Sequence, residues 1–448
     1  MIAWIEADGR REKAFLEEIR RRGGQTRQDA LEAVQDILRQ VRLRGDAAAR
    51  ELTLRYDRAD LEDFRVSGRE WDEGIRQVPA DLAKALAQAA ENIRAFHERQ
   101  KRVSWHMTGP EGIFLGLEIR PLKRVGIYVP GGTAAYFSSV LMNAIPAQAA
   151  GVEEIYMVTP PSPSGGLAPA TLAAARLAGV RQIYKIGGAQ AVAALAYGTE
   201  TVPKVDKITG PGNLYVSLAK RLVAGETDID KIAGPSEILI IAEGETRAGA
   251  EGEGGVRTRA GFIAADLLSQ AEHDPMASAI LLTPSRALAL EAKAELERRL
   301  EVLPRKETAR QSLKDYGGII VTRHMDEAAE LADAFAPEHL ELLMDEPLAW
   351  AGRIRNAGAI FMGDFSPEPL GDYFAGPNHI LPTGGTARFA SPLSVDDFLK
   401  KTSLVYYSEK ALKSVGDQIM VMARSEGFQA HAGAVQARLD GGDSNQRG

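Results

Sequence analysis

Residues 125–159 read VGIYVPGGTAAYFSSVLMNAIPAQAAGVEEIYMVT. A short apolar run over 125–129 breaks at Pro130-Gly131-Gly132, a helix-length apolar segment covers 139–150, and a second apolar run follows at 155–158. Apolar runs of roughly four to eight residues closed by glycine or proline read as strands buried on both faces. A segment of about a dozen residues between two of them reads as a crossover helix, so the stretch is one β-α-β unit. Working outward, strands are expected at 183–186, 207–209 and 238–241, with helices over 169–177, 190–197 and 214–223. A second set of strands follows at 280–283, 319–322, 339–344 and 359–362, again with helices between them. The alternation predicts an α/β protein with two Rossmann-like parallel-sheet domains covered by helices on both faces. No similarity repeats at a solenoid period.

Before this core, residues 26–100 are helical in pattern: Leu31, Val34, Ile37, Leu38 and Val41 recur at helical spacing, as do Leu82, Leu86 and Ile93. Residues 244–255, rich in glycine and glutamate, read as a mobile surface loop, and the polar end 441–448 as disordered. Residues 378–391 are rich in glycine, proline and threonine and precede a last helical section from about Glu409.

Composition narrows the function. The chain has 448 residues, 45% apolar and 26% charged, with a formal net charge of -7. That balance speaks against a nucleic-acid partner, which calls for a basic face. The basic stretches Arg10–Arg11 and Arg20–Arg22 read as solvated helix faces. Cysteine is absent, which excludes disulfides, thiolate-held zinc and a catalytic thiol, so any metal is held by nitrogen and oxygen. Residues 1–22 are dense in charge and lack the apolar core of a secretory signal. The most apolar stretch, 140–152, falls short of the roughly 20 residues of a membrane span. A cytoplasmic protein with no membrane partner is expected.

Three glycine turns stand where strands give way to helices: Pro130-Gly131-Gly132, Gly187-Gly188-Ala189-Gln190 and Gly210-Pro211-Gly212-Asn213. Backbone N–H groups at such turns can face a phosphate, and ligands of open α/β sheets bind at the carboxyl ends of strands. None of the three has the G-x-G-x-x-G form, so spacing alone leaves them as turn geometry or as a nucleotide site. Gln270 and His273, three apart, share one face of an expected helix ended by Pro275, which suits either a metal site or a polar surface patch. Glu338 and His339, at a strand edge, suit either two proton-transfer groups of different basicity or an exposed polar pair at a strand start. Asp372 and His379 lie in an expected irregular loop. Glu426 and His431 close the helical C-terminal section, where ordinary helix-surface polarity is the plainer reading.

Taken together and in order, VGIYVPGG (125–132), GGAQAVA (187–193), TGPGN (209–213), AGPSE (233–237), AADLLSQAEHDP (264–275), APEHLEL (336–342), LGDY (370–373), GPNHILPTGGTARFASP (376–392) and the Glu426…His431 spacing closely resemble the histidinol dehydrogenase family. The resemblance runs from about Arg27 to Ala437, with 244–255 longer than is usual there. It implies an NAD-dependent, four-electron oxidation of L-histidinol to L-histidine through histidinal, in histidine biosynthesis. It further implies one Zn²⁺ per subunit, held by Gln270, His273, Asp372 and His431. His339 is implied as the base of both oxidations and Glu338 as the activator of water. Substrate contacts are implied at Ser236, Gln270, His273, His339, Asp372, His379, Glu426 and His431, and NAD contacts at Tyr128, Gln190 and Asn213. The domains expected are an N-terminal helical segment (1–25), an α/β domain with the metal and catalytic residues (26–127 with 238–380), an NAD domain (128–237), and a dimerisation segment (381–448) reaching the other subunit of a homodimer. A relative acting on another small polar alcohol would lose the residues that read imidazole and amine; Glu426, His379 and Thr383-Gly384-Gly385-Thr386 are all present.

Overall fold

In the computed structural model, residues 2–22, 28–131, 135–232, 234–244 and 258–440 are described. In chain order the first strands are β1 (Ala3–Glu6), β2 (Trp105–Gly109), β3 (Ile113–Pro121), β4 (Arg124–Tyr128) and β5 (Glu154–Thr159). They are followed by β6 (Gln182–Lys185), β7 (Lys207–Thr209), β8 (Asp228–Ile229), β9 (Glu237–Ala242) and β10 (Ser278–Thr283). The last are β11 (Gly317–Val321), β12 (His339–Leu343), β13 (Ala359–Met362) and β14 (Leu399–Tyr406).

One unit comprises residues 1–100 and 122–398 and holds two all-parallel sheets. The five-stranded sheet has the order β6-β5-β4-β7-β8, with Ile127 paired to Met157 and to Thr209. The chain leaves from β4 to one side and, after β6, crosses to the other, so β4 and β7 flank the switch point where ligands of such sheets collect. Val125, Ile127 and Val129 are buried against Val140, Leu141 and Ile145 of the helix Phe137–Ala150. Each such side chain contributes about 1.5–3 kcal/mol relative to exposure. The opposite face is covered by Val192 and Leu195 of the helix Gly188–Tyr197 and by Val34, Ile37 and Leu38 of the helix Gln28–Arg44. Gly126 permits that packing: a Cβ there would come within 2.7 Å of the Leu195 side chain.

The six-stranded sheet has the order β1-β11-β10-β9-β12-β13. Its central strands read Glu-Ile-Leu-Ile-Ile-Ala and Ser-Ala-Ile-Leu-Leu-Thr and are buried throughout, as strands covered by helices on both faces must be. The parallel α/β architecture expected from the sequence is thus present, and β7 and β13 begin and end where their apolar runs do.

Three assignments differ. The N-terminus opens with a strand, β1, paired to β11 through Trp4 and Ile319, before the helix Arg11–Arg21. Four residues of strand carry too little pattern to stand out from a charged surrounding. The helices between 28 and 98 pack on the five-stranded sheet, whereas the sequence reading grouped 26–127 with 238–380. An amphipathic helix announces that it has a buried face, not which sheet receives it. Finally, residues 381–398 belong to the first unit, while 101–121 and 399–448 form a second.

In that second unit β14 pairs antiparallel with β3 from Leu399↔Pro121 to Tyr406↔Phe114, and β2 pairs with β3 on its other side. The helices Glu409–Ser425 and Gln429–Asp440 follow. β14 reads Leu-Lys-Lys-Thr-Ser-Leu-Val-Tyr and is exposed along most of its length, so no apolar alternation marks it. The sequence expectations at 245–255 and 441–448 fall outside the described residues. No helix among the described residues is long and apolar enough to cross a membrane.

Candidate active site

The two sheets of the first unit meet around one cavity of about 1640 Å³. The five-stranded sheet turns its carboxyl ends to it: Tyr128 and Gly131 after β4, Pro160 after β5, Gly188–Gln190 after β6 and Gly210–Asn213 after β7. The six-stranded sheet presents its amino ends: Ser236 just before β9, His273 before β10, and Glu338 with His339 at the start of β12.

On the first side, backbone geometry dominates. Gly210 adopts φ +114°, and a Cβ there would lie 2.1 Å from the Tyr128 carbonyl oxygen, so only glycine lets these two strand ends touch. The turn is pinned from below: Lys220 Nζ donates to the Gly210 carbonyl (2.9 Å) and pairs with Asp230, whose Oδ2 accepts from Gly210 N (2.8 Å). Asn213 caps the helix Leu214–Val223, its Oδ1 accepting from the Tyr215 and Val216 amides at 3.1 Å. The Tyr128 hydroxyl accepts from Gly188 N at 3.1 Å. Burial, with the Asp57 carboxylate adding to it, pushes that phenol up to about 12. Gln190, which lines the same cavity, is buried.

On the second side, side chains dominate. His339 Nδ1 lies 3.0 Å from the Glu237 carbonyl oxygen, which can only accept. The proton therefore sits on Nδ1, and Nε2, buried and without a hydrogen-bond partner, carries a free lone pair. Burial holds the imidazole below its ordinary 6.5, so it is neutral at pH 7. Glu338 Oε2 lies 3.7 Å from His339 Nδ1 and accepts from Glu237 N at 2.9 Å. Its burial pushes the carboxyl well above the usual range. Glu368, on the helix Glu368–Tyr373, comes within 3.9 Å of His339 Nε2 and is pushed up in the same way, by burial first and by the Asp372 charge second. His379 Nδ1 donates to the Asp372 carbonyl (3.0 Å) and sits 3.6 Å from Asp372 Oδ1. Burial depresses this imidazole too.

Tyr128, Gln190, Asn213, Ser236, His273, Glu338, His339, Asp372 and His379 thus all line one cavity. Gln270 is fully buried in the helix Arg259–Ala271, with neither amide atom hydrogen-bonded. That helix ends two residues before His273, which sits exposed in the following turn with its amide on the Gln270 carbonyl (3.2 Å). The shared helix face expected for this pair is therefore replaced by a C-terminal turn. Glu426 caps the end of the helix Glu409–Ser425, and His431 lies on the helix Gln429–Asp440; both are exposed members of the second unit.

A divalent ion suits these donors. His339, Glu368 and Asp372 offer ligand atoms within 4.8 Å of one another, and Gln270 holds an unused buried carbonyl oxygen. Nitrogen and oxygen donors of this kind take zinc and other divalent ions alike.

Sequence reasoning missed two groups. Glu368, between two prolines, gave no signal except its place four residues before Asp372. Arg22, assigned to a solvated face with Arg20 and Arg21, is buried, with Nη2 3.5 Å from Glu237 Oε1 and Nε donating to the Met276 carbonyl at 2.9 Å. It falls at the helix end, where periodicity no longer says which way a side chain points.

Comparison with known proteins carries the same pattern across the chain. The family model described as histidinol dehydrogenase matches residues 20–439. The histidinol dehydrogenase of Geobacillus kaustophilus (strain HTA426) is 56% identical over 411 residues, covering 92% of this chain and 94% of the relative. That of Bacillus subtilis (strain 168) is 51% identical over 405 residues, covering 90% and 92%. The crystal structure of histidinol dehydrogenase from Elizabethkingia anophelis superposes with a TM-score of 0.89 at 38% identity, covering 98% of each chain. The chain is an α/β oxidoreductase. It belongs to the histidinol dehydrogenase family.

Proposed function

We propose that the protein oxidises L-histidinol to L-histidine in histidine biosynthesis, passing four electrons to two NAD in succession by way of histidinal. The observation that carries this reading is His339 Nε2: a buried, neutral, unpartnered nitrogen in the cavity that the glycine turns also border. An alcohol gives up hydride only as its hydroxyl proton leaves, and a neutral imidazole with its far nitrogen tied to a carbonyl is poised to take that proton. Glu338, whose burial makes its carboxylate a stronger base than an exposed one, takes a proton from the water that adds to the aldehyde. His339 then acts again on the hydrate. NAD, when bound on the turns carrying Tyr128, Gln190 and Asn213, supplies the hydride acceptor.

Gln270, His273 and Asp372, with His431 of the partner subunit, are the proposed ligands of one Zn²⁺ per subunit. A divalent ion there supplies a fixed Lewis acid that orients the substrate amine and imidazole. Ser236, His379 and Glu426 of the partner subunit position the substrate. The protein is accordingly read as a homodimer in the cytoplasm, with the C-terminal helices making the subunit contact.

The test is an absorbance assay of NADH formed per L-histidinol consumed, with the product identified. Two NADH and one histidine are expected. No reduction of NAD by histidinol contradicts the reading, and one NADH with histidinal released contradicts its second half.

A further inference from the structure

In open α/β sheets that bind dinucleotides, a carboxylate after the strand beside the first one usually receives the adenosine ribose. Here that strand is β5, and residues 159–167 after it read Thr-Pro-Pro-Ser-Pro-Ser-Gly-Gly-Leu, without an acid. The cavity wall nearest Tyr128 nevertheless contains one from elsewhere. Asp57 ends the helix Asp46–Asp57, lines the cavity, and adds its charge to the environment of Tyr128. Among the described residues its side chain makes no hydrogen bond, and its Oδ2 is a buried acceptor without a donor. Asp230, the other lining carboxylate on this side, is taken up by Lys220 and by the amides of Gly210 and Lys231. Beside Asp57, Tyr56, Ala33 and Ile37 give the same wall an apolar surface on which a flat base can lie.

We propose that Asp57 reads the adenosine ribose of NAD, accepting hydrogen bonds from its 2′- and 3′-hydroxyls, and excludes NADP by repelling the 2′-phosphate. This rests on the reading that the protein uses NAD. The assignment to the adenosine half follows from position: Asp57 ends a helix packed on the five-stranded sheet, whereas His339 begins β12 of the six-stranded sheet, and both line the cavity. Hydride leaves at the His339 end, so the nicotinamide lies there and the other nucleoside at the Asp57 end. A carboxylate left without a donor is costly in the free protein, and ribose hydroxyls that meet its cavity-facing oxygen offset part of that cost.

Calorimetric titration of the full-length protein with NAD, NADP and 2′-deoxyadenosine NAD tests this without reference to turnover. Wild type is expected to bind NAD at least about tenfold more tightly than either analogue, the scale of losing one charge-assisted hydrogen bond. Asp57→Asn is expected to lose about tenfold in NAD affinity and to bring NADP within about threefold of NAD. An unchanged NAD-to-NADP ratio in Asp57→Asn overturns the proposal. So does equal binding of NAD and its 2′-deoxy analogue by wild type, a result that needs no variant. Wild type that binds neither dinucleotide overturns the NAD reading itself, and this proposal with it.

Discussion

The two parallel sheets of the first unit are wound alike, the first strand of each winding (β4, β9) standing between later strands and β1 adding an edge to the larger sheet, yet they use opposite edges. The five-stranded sheet offers the carboxyl ends of its strands, where glycine turns expose backbone and helices begin. The six-stranded sheet offers the amino ends of β9 and β12, where Ser236, Glu338 and His339 project side chains. A carboxyl edge with helix N-termini suits a phosphate-bearing ligand. The amino edge lacks that field and is built instead from buried carboxyls and imidazoles whose proton affinities burial has displaced. On the proposed function, binding and proton transfer are divided between two copies of one architecture.

That division can be broken from either side. The largest effect expected is from His339→Asn: turnover of L-histidinol should fall about a thousandfold, within the range for loss of a general base. NAD affinity measured by calorimetry should stay within about twofold, because the cofactor edge is untouched. A parallel loss of NAD affinity would mean that the two edges are one site and not two.

A smaller effect is expected beneath the chemical edge. Arg22→Met leaves Glu237 without its partner 3.5 Å away and should cost about 3 kcal/mol of stability at pH 8, read from urea unfolding. Burial pushes Glu237 up to about 7, against an ordinary 4.5. A carboxyl raised in the folded state contributes most below about pH 4.5, and that contribution is lost as pH rises through 7. The variant's deficit should therefore shrink at pH 5, where Glu237 is protonated. An equal deficit at both pH values would show that Glu237 does not titrate in this window.

The same contrast explains what could be read in advance. The parallel strands were visible because both faces are buried, so Ile280–Leu282 and Ile238–Ile241 are continuous apolar runs. The glycine turns were visible because Gly210 and Gly188 leave a mark in sequence wherever φ is positive. β2, β3 and β14 were not, because their exposed faces mix Lys400, Lys401 and Thr402 with Trp105 and Val405. At the chemical edge, Glu338-His339 stood out as a pair, but the role of Glu237 did not. Its carbonyl fixes the His339 tautomer from about a hundred residues away in sequence. Likewise nothing in the residue order says that Glu368 faces His339, or that Arg22 turns inward from a charged helix end.

The central claim is that one cavity brings the carbon held at the His339 edge against a nicotinamide held at the glycine edge. L-Histidinol deuterated at the carbinol carbon tests it most directly, by mass spectrometry of the NADH formed. The account predicts that both carbinol deuteriums are delivered, one to each of two NADH molecules. Histidine formed with the label in water and none in NADH would contradict it.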